Sequence, residues 1–418
     1  MRTERSGRSS PAIIKFRGAA LIQRSLRYRH GKKKKVLILP SWFPDKASEV
    51  SGIFIHDQAR VLSRAYDVSV LVPRFVGWQG VIKGNLRPKT QVEQSDGIEV
   101  YREETLVPPG MKFFRLRTHL LAKLARRGFG KILMNWGKPD IIHAHVIFPG
   151  GWMAVNLGRD YAIPVVLTEH TGPFSVHLQS EVQRRVARET LRQVNSLIAV
   201  SPDMARQVHT FCPSATIHIV GNVIMTDFFT PQTVTPAEKL RSTTRFLSVA
   251  LLNENKGMHY LLEAMQLLLQ RGALSFELFI GGEGPTRPGL ENMANELGLS
   301  GRCHFLGMLT RSEVKHWMQR SDVFVLPSLG ETFGVVVCEA MACGKPVIAT
   351  RCGGPEFVVT PETGILVDVA DPLALADAMD KFISGQMVFD SNVIRRNIVT
   401  RFGEEAFLRN ISAVYREL

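Results

Sequence analysis

The feature that most constrains this chain is a rhythm of short apolar runs that do not alternate with polar residues. Val36–Pro40 (VLILP), Val68–Pro73 (VSVLVP), Ile141–His145 (IIHAH), Val165–His170 (VVLTEH) and Leu197–Ser201 (LIAVS) are of this kind. A strand with one wet face alternates; a run that is apolar throughout is buried on both faces, as in a parallel sheet covered by helices. Helical stretches near 53–65, 112–135, 178–195 and 202–211 fill the intervals. Repeated strand-then-helix units imply parallel strands joined by right-handed crossovers. The rhythm pauses over 226–244, a polar, Thr-containing stretch with Pro231 and Pro236, which reads as a linker. It then restarts with strands expected at 246–252, 276–281, 303–306, 323–327, 346–350 and 364–367. Helices are expected near 257–270, 287–297, 312–320, 335–343, 373–384 and 404–417. The expectation is two doubly wound α/β domains, 36–225 and 245–395, with a cleft between them. Residues 396–418 are expected to form a C-terminal helix packing back towards the first domain. In such sheets ligands sit at the carboxyl ends of the strands, so the loops after each strand are where chemistry belongs.

The length, 418 residues, suits two substantial cores. No apolar run approaches the roughly 20 residues that span a bilayer. Of the formal net charge of +14, +11 lies in residues 1–35, leaving a nearly neutral body. Basic pI alone is therefore no argument for nucleic-acid binding, and no aromatic stacking platform accompanies the tail. Within the tail, Ile13, Ile14, Phe16, Leu21 and Leu26 are interleaved with Lys15, Arg17, Arg24 and Arg27. That pattern fits either a solvated basic tail or an amphipathic helix lying on an anionic membrane surface. Lys15 and Arg17 break the apolar core that a secretory signal needs. Five cysteines with no CxxC pair and no zinc spacing fit a reducing compartment. The expected location is cytoplasmic, with a peripheral position on the cytosolic membrane face if the tail is amphipathic.

The most informative segment is DVFVLPSLGETFGVVVCEAMACGK, residues 322–345. A buried strand ends at Pro327-Ser328, a short loop carries Glu331, Phe333 and Gly334, and a helix follows with Glu339 in its second turn. The free N–H groups and dipole of a helix N-terminus form a natural diphosphate site. Gly334 lets the backbone approach such a group closely. Two carboxylates beside it suit a sugar nucleotide, one for hydroxyls of the hexose and one for those of the ribose. An acidic first turn with no ligand is the plain alternative.

In order along the chain these segments resemble the retaining GT-B glycosyltransferases of glycosyltransferase family 4. Residues 331–339 are similar to that family's EGFGxxxxE motif, with Thr332 at a usual Gly. Lys256-Gly257 with the helix after it, GGEGP at 281–285, Phe305-Leu306-Gly307, Gly353-Gly354-Pro355-Glu356 and Gly364-Ile365-Leu366-Val367 match further signals. In the first half, SGIFIHDQARVL, HAHVIFPGGW and LTEH are similar to one branch of the family. The resemblance implies a GT-B fold, two Rossmann-like domains facing a central cleft. It implies a nucleotide-sugar donor, a glycan or lipid-linked acceptor, and neither cofactor nor metal. Glu331 would hold the donor sugar near the reacting carbon, Glu339 the ribose, and Lys256 would neutralise the departing diphosphate. Backbone amides of Phe333, Gly334 and Val335 would assist, with Gly52 approaching from the first domain. Gly307 and Met308 would flank the base. His145 would contact donor sugar or acceptor across the cleft, with His170 and, in reserve, His143 on the acceptor side.

One position departs from the family. The Arg usually found five residues before the Lys is Leu251 here. A diphosphate leaving group gains charge in the transition state, so a missing cation should slow the reaction unless Arg287 or Arg351 substitutes. Leu251 keeps open a catalytically weak or idle nucleotide-sugar-binding subunit. A GT-B sugar-nucleotide epimerase shares the fold, which alone does not decide. A dinucleotide site at GGEGPTRPG is disfavoured because Arg287 stands where the fingerprint needs Gly. A glycosidase is disfavoured because both carboxylates sit on one strand–helix unit.

Overall fold

The computed structural model describes residues 33–45, 50–76, 89–107, 113–232 and 242–418. The basic tail up to Lys32 and linker residues 233–241 lie outside the described residues.

The first sheet has eight strands: β1 (Lys35–Pro40), β2 (Asp67–Val76), β3 (Lys89–Ser95), β4 (Ile98–Leu106), β5 (Ile141–His145), β6 (Val165–Glu169), β7 (Ser196–Ala199) and β8 (Ile217–Ile219). Their order is β3-β4-β2-β1-β5-β6-β7-β8. All neighbours pair in parallel except β3 with β4. Helices α1 (Ile53–Leu62), α2 (Phe114–Asn135), α3 (Trp152–Tyr161), α4 (Glu181–Gln193) and α5 (Pro202–Phe211) cover its faces.

The antiparallel β3–β4 hairpin corrects the expectation of an entirely parallel first sheet. Its strand KTQVEQS is polar because it is an edge strand. The Asp96-Gly97 turn, with both residues at positive φ, is a hairpin signal that an apolar-run reading passes over. Helix α3 was likewise unexpected.

The second sheet has order β11-β10-β9-β12-β13-β14, all parallel. It contains β9 (Thr244–Val249), β10 (Phe276–Gly281), β11 (Cys303–Gly307), β12 (Val323–Leu326), β13 (Val347–Thr350) and β14 (Gly364–Val367). Helices α6 (Met258–Gln270), α7 (Arg287–Glu296), α8 (Arg311–Arg320), α9 (Val335–Ala342), α10 (Pro355–Val358), α11 (Pro372–Ile383) and α12 (Ser391–Phe402) accompany it.

Each sheet has an apolar cluster on both faces, as non-alternating strands require. Helix α12 packs Ile394, Ile398 and Phe402 into the second sheet's cluster. The chain then turns at Gly403, and α13 (Glu404–Arg416) places Phe407, Ile411, Val414 and Tyr415 against Val36, Ile38 and Val70 of the first. Ile224 bridges to Gly403, and Thr226 donates to Glu404 at 2.5 Å, so both interdomain crossings lie side by side. Among the described residues no helix is long and apolar enough to cross a membrane.

Candidate active site

Three neighbouring strands of the second sheet, β9, β12 and β13, deliver their exits to one point. Gly257 caps α6 with φ +60, and a Cβ there would strike the carbonyl of Pro327. Only glycine allows that approach, which sets the turn after β9 against the exit of β12. Asn255 closes the seam, donating its side-chain amide to Gly330 O at 2.8 Å and accepting from Leu329 N at 2.8 Å. Lys256 thereby meets Glu331, Nζ to Oε1 at 2.5 Å, and Ser328 Oγ donates to the same oxygen at 2.8 Å. From β13, Cys352 O accepts from Glu331 N at 3.2 Å, and Gly354 N donates to Glu331 O at 2.8 Å. Both charged side chains stay partly open, Lys256 at 21% and Glu331 at 13% exposure.

Helix α9 begins at Val335, four residues after Glu331. Phe333 is buried among Phe402, Phe357 and Val337, which fixes the loop. Gly334 caps the helix at φ +85 with no side-chain cap. The nearest atoms to a Cβ there are 3.6–3.7 Å away, on Val337, an ordinary contact distance, so the glycine is needed for its positive φ rather than for lack of room. Glu339 lies one turn further on. Burial pushes its carboxyl up to about 8, opposed by Arg311 and reinforced by Asp57.

Arg311 and Asp57 were not foreseen. Arg311, at the start of α8, forks onto Asp57 of α1 with bonds of 2.9 and 2.6 Å. Its guanidinium also lies over Phe228 and Phe229 at 5.3 and 5.4 Å from the ring centroids. A pair 254 residues apart leaves no spacing signal in a sequence. This pair brings α1, capped by Gly52 at φ +75 with no side-chain cap, towards the α9 side of the cleft. Elsewhere across the cleft, Gly172 packs on the methyl of Thr332, and a Cβ at Gly353 would lie 2.9 Å from Asp203 Oδ2.

The carboxyl ends of β5 and β6 hold three buried histidines. His143 is not available to an acceptor, which corrects its reserve role. Its Nδ1 bonds Tyr415 OH at 2.6 Å and its Nε2 bonds Thr168 Oγ1 at 2.8 Å, so it fastens α13 to the sheet. His145 is fully buried and stacks on His143. Its Nδ1 bonds His170 Nε2 at 3.0 Å, its Nε2 is buried with no hydrogen-bond partner among the described residues, and the His170 ring also interacts with Asn222. Burial lowers all three, His143 to about 3, His170 to about 4 and His145 well below its ordinary value, so each is neutral at pH 7. Glu169 accepts from Ile147 N, His170 N and Thr171 N at 2.8, 3.0 and 2.8 Å. Burial would raise its carboxyl, but His177 and these amides outweigh it and hold the group below the ordinary range.

Gly307 ends β11 and Met308 follows it; Gly307 O accepts from Gly282 N at 2.7 Å and the Met308 side chain is exposed. Leu251 is 58% exposed. Arg287 is held by Glu283 and by Glu291, the latter at 2.8 Å, and Arg351 bonds Leu366 O at 3.3 Å. Neither candidate substitute bonds to Lys256 or Glu331. Among the described residues no group of three or more His, Cys, Asp or Glu is disposed to hold a metal ion.

Comparison with known proteins agrees with this architecture. The Glycosyltransferase Family 4 model matches residues 51–228, and the Glycosyl transferases group 1 model matches residues 243–384. The lipopolysaccharide core biosynthesis glycosyltransferase LpsE of Rhizobium meliloti is 27% identical over 86% of this chain and 90% of its own. The D-inositol 3-phosphate glycosyltransferase of Corynebacterium diphtheriae is 30% identical over 58% of this chain, and the matched part spans 62% of that protein's length. Sucrose-phosphate synthase from Thermosynechococcus elongatus superposes with TM-score 0.74 at 21% identity, covering 92% of this chain and 99% of its own. Anabaena HepE in complex with UDP and glucose superposes with TM-score 0.67 at 19% identity, covering 92% and 100%. With both halves matched in order and the two-sheet fold shared, the chain belongs to the family 4, or group 1, glycosyltransferases and has the GT-B fold.

Proposed function

We propose that this chain is a retaining glycosyltransferase that moves a hexosyl group from a nucleotide-sugar donor to a glycan or lipid-linked acceptor, without a metal ion. The observation that carries the reading is the Lys256–Glu331–Ser328 cluster beside the uncapped start of α9. The donor diphosphate sits on the amides of Phe333, Gly334 and Val335, where the helix dipole favours negative charge. Lys256 meets the growing charge as the bond to the leaving phosphate breaks. Glu331 then accepts hydroxyls of the donor sugar, and Glu339 those of the ribose. Gly52 brings the start of α1 to the phosphates from the other side, and Gly307 and Met308 flank the base. His145 and His170, neutral and hydrogen-bonded to each other, lie at the carboxyl ends of β5 and β6, from which they contact the sugar or acceptor. Retention rests on family membership.

The test is a melting screen over common nucleotide sugars, since a tight ligand raises stability by mass action. Turnover of the best binder in excess chelator follows, with the anomeric configuration of the product read by NMR. Retained configuration and chelator-insensitive turnover are expected. Activity abolished by chelator and restored by a divalent metal would overturn the metal-free mechanism. Leu251 favours a second reading, a donor-binding subunit that turns over weakly. Donor-induced melting shifts without turnover would select it.

A peripheral position on the cytosolic face of an anionic membrane, through residues 1–35, is part of the same proposal. The charge of +11 supports it, since each Lys or Arg near an anionic leaflet is worth about 1 kcal/mol.

A further inference from the structure

We infer that a cavity beside the first turn of α2 is an acceptor subsite for the apolar segment of an alkyl- or prenyl-phosphate. The inference rests on the transferase reading and names the chemistry of its acceptor. Strands β4, β5 and β6 run parallel within one sheet, so their carboxyl ends share an edge. Helix α2 follows β4, the turn at 147–151 follows β5, and the turn at 174–177 follows β6. The cavity between these three segments therefore opens at the ligand-bearing edge of the sheet.

Its volume is about 160 Å³. An apolar cavity of about 150 Å³ takes one benzene, so this one takes a ring or about six carbons of a chain. Phe114, Leu121, Phe148 and Pro149 supply apolar walls, with Phe114 and Phe148 edge to face at 5.1 Å. Beside Arg117, the polar lining residues are Thr118, His177 and Gln183. Thr118 already donates to Phe114 O and Arg115 O at 3.0 Å each, and His177 faces the buried Glu169 at 3.6 Å. A sugar ring here would bury hydroxyls with too few partners, at about 1–3 kcal/mol each, whereas hydrocarbon loses nothing.

Charge selects the head group. Arg117 lines the cavity, is exposed, and has no carboxylate partner among the described residues. Arg115, also exposed, is two residues away. The nearby acid on α4, Glu181, is taken by Arg184 at 2.7 Å. Phe113 and Leu116 extend the apolar surface outwards, 71% and 40% exposed. Apolar walls under an unpaired guanidinium fit an apolar chain ending in a phosphate, to which Arg binds as a fork.

The test titrates the full chain with hexyl phosphate, inorganic phosphate and hexanol. Hexyl phosphate should bind saturably and at least tenfold more tightly than either part. Arg117→Glu should weaken it at least tenfold, and Leu121→Trp, which fills the cavity, should abolish it if that variant melts cooperatively. Melting shifts with nucleotide sugar should match wild type in both variants, because the donor cluster is untouched. Hexyl phosphate binding no tighter than its parts, or unchanged in Arg117→Glu, would overturn the subsite. A wild-type chain that takes hexyl phosphate but no nucleotide sugar would contradict the transferase reading instead, so the two failures are distinguishable.

Discussion

Leu251 is the residue whose chemistry fits its place least well. It is exposed at the exit of β9, five residues before Lys256, where a cation would stand near the departing diphosphate. Leu251→Arg should therefore raise turnover by about tenfold, roughly 1.4 kcal/mol of transition-state stabilisation. Steady-state kinetics checks it, and an unchanged or lower kcat would mean that Lys256 and the α9 amides already suffice. Glu339 gives a second expectation. Its folded pKa of about 8 lies above the ordinary 4.5, so the folded chain prefers the protonated form. That stabilising preference is whole below about pH 4.5 and is lost as pH rises through 8. Without ligand, wild type should lose more melting temperature between pH 5 and 8.5 than Glu339→Gln, whose side chain is neutral throughout. Equal losses would contradict the assignment. Glu331 and Glu339 were legible because they sit in one contiguous motif with a strand and a helix start around them; Lys256, 75 residues earlier, was legible through the separate Lys256-Gly257 signal. Ser328 lies in the segment that carries Glu331 and could have been added, since a hydroxyl three residues before a half-buried carboxylate at a strand exit is well placed to donate.

At the scale of elements, strands marked by unbroken apolar runs were readable. Strands β3, β4 and β8 were not: β3 and β8 lie at the sheet edges, and β4, IEVYREETL, is largely buried but its charged residues break the apolar run. The single C-terminal helix expected over 396–418 is two helices broken at Gly403; α12, SNVIRRNIVTRF, was not separated because basic residues interrupt its apolar stripe of Ile394, Ile398 and Phe402. The joint between α1 and α8 was wholly hidden, because pairing of Asp57 with Arg311 depends on how the two sheets meet. It makes a definite prediction. Asp57 is 4% exposed, and its removal leaves a guanidinium over two Phe rings without its carboxylate. Loss of one partner of a buried pair is strongly destabilising, but Arg311 keeps 31% side-chain exposure, and solvent offsets part of it. Asp57→Ala should therefore lower stability by about 1–3 kcal/mol in urea titration. The double variant with Arg311→Met should recover part of that loss, showing coupling. A loss below about 0.5 kcal/mol would mean the pair is a surface contact.

At the scale of the whole molecule, α13 makes one functional unit of two sheets. The chain leaves the first sheet after β8, builds the second, and returns to pack Tyr415 beside His143 in the first. A C-terminal helix was legible from its apolar period; its bond to His143, in the middle of β5, was not. The tail predicts membrane contact. Full-length protein should co-sediment with anionic vesicles, and a chain beginning at Lys33 should stay in solution; equal sedimentation of both would remove the tail from the account. The most direct test of the central claim is the kinetics of Glu331→Gln beside Glu339→Gln, using the donor found by melting screen. Glu331→Gln should lower kcat at least a hundredfold with donor affinity within a few-fold, and Glu339→Gln should act mainly on donor KM. Wild-type turnover by Glu331→Gln would contradict the assignment of sugar transfer to the Lys256–Glu331 cluster.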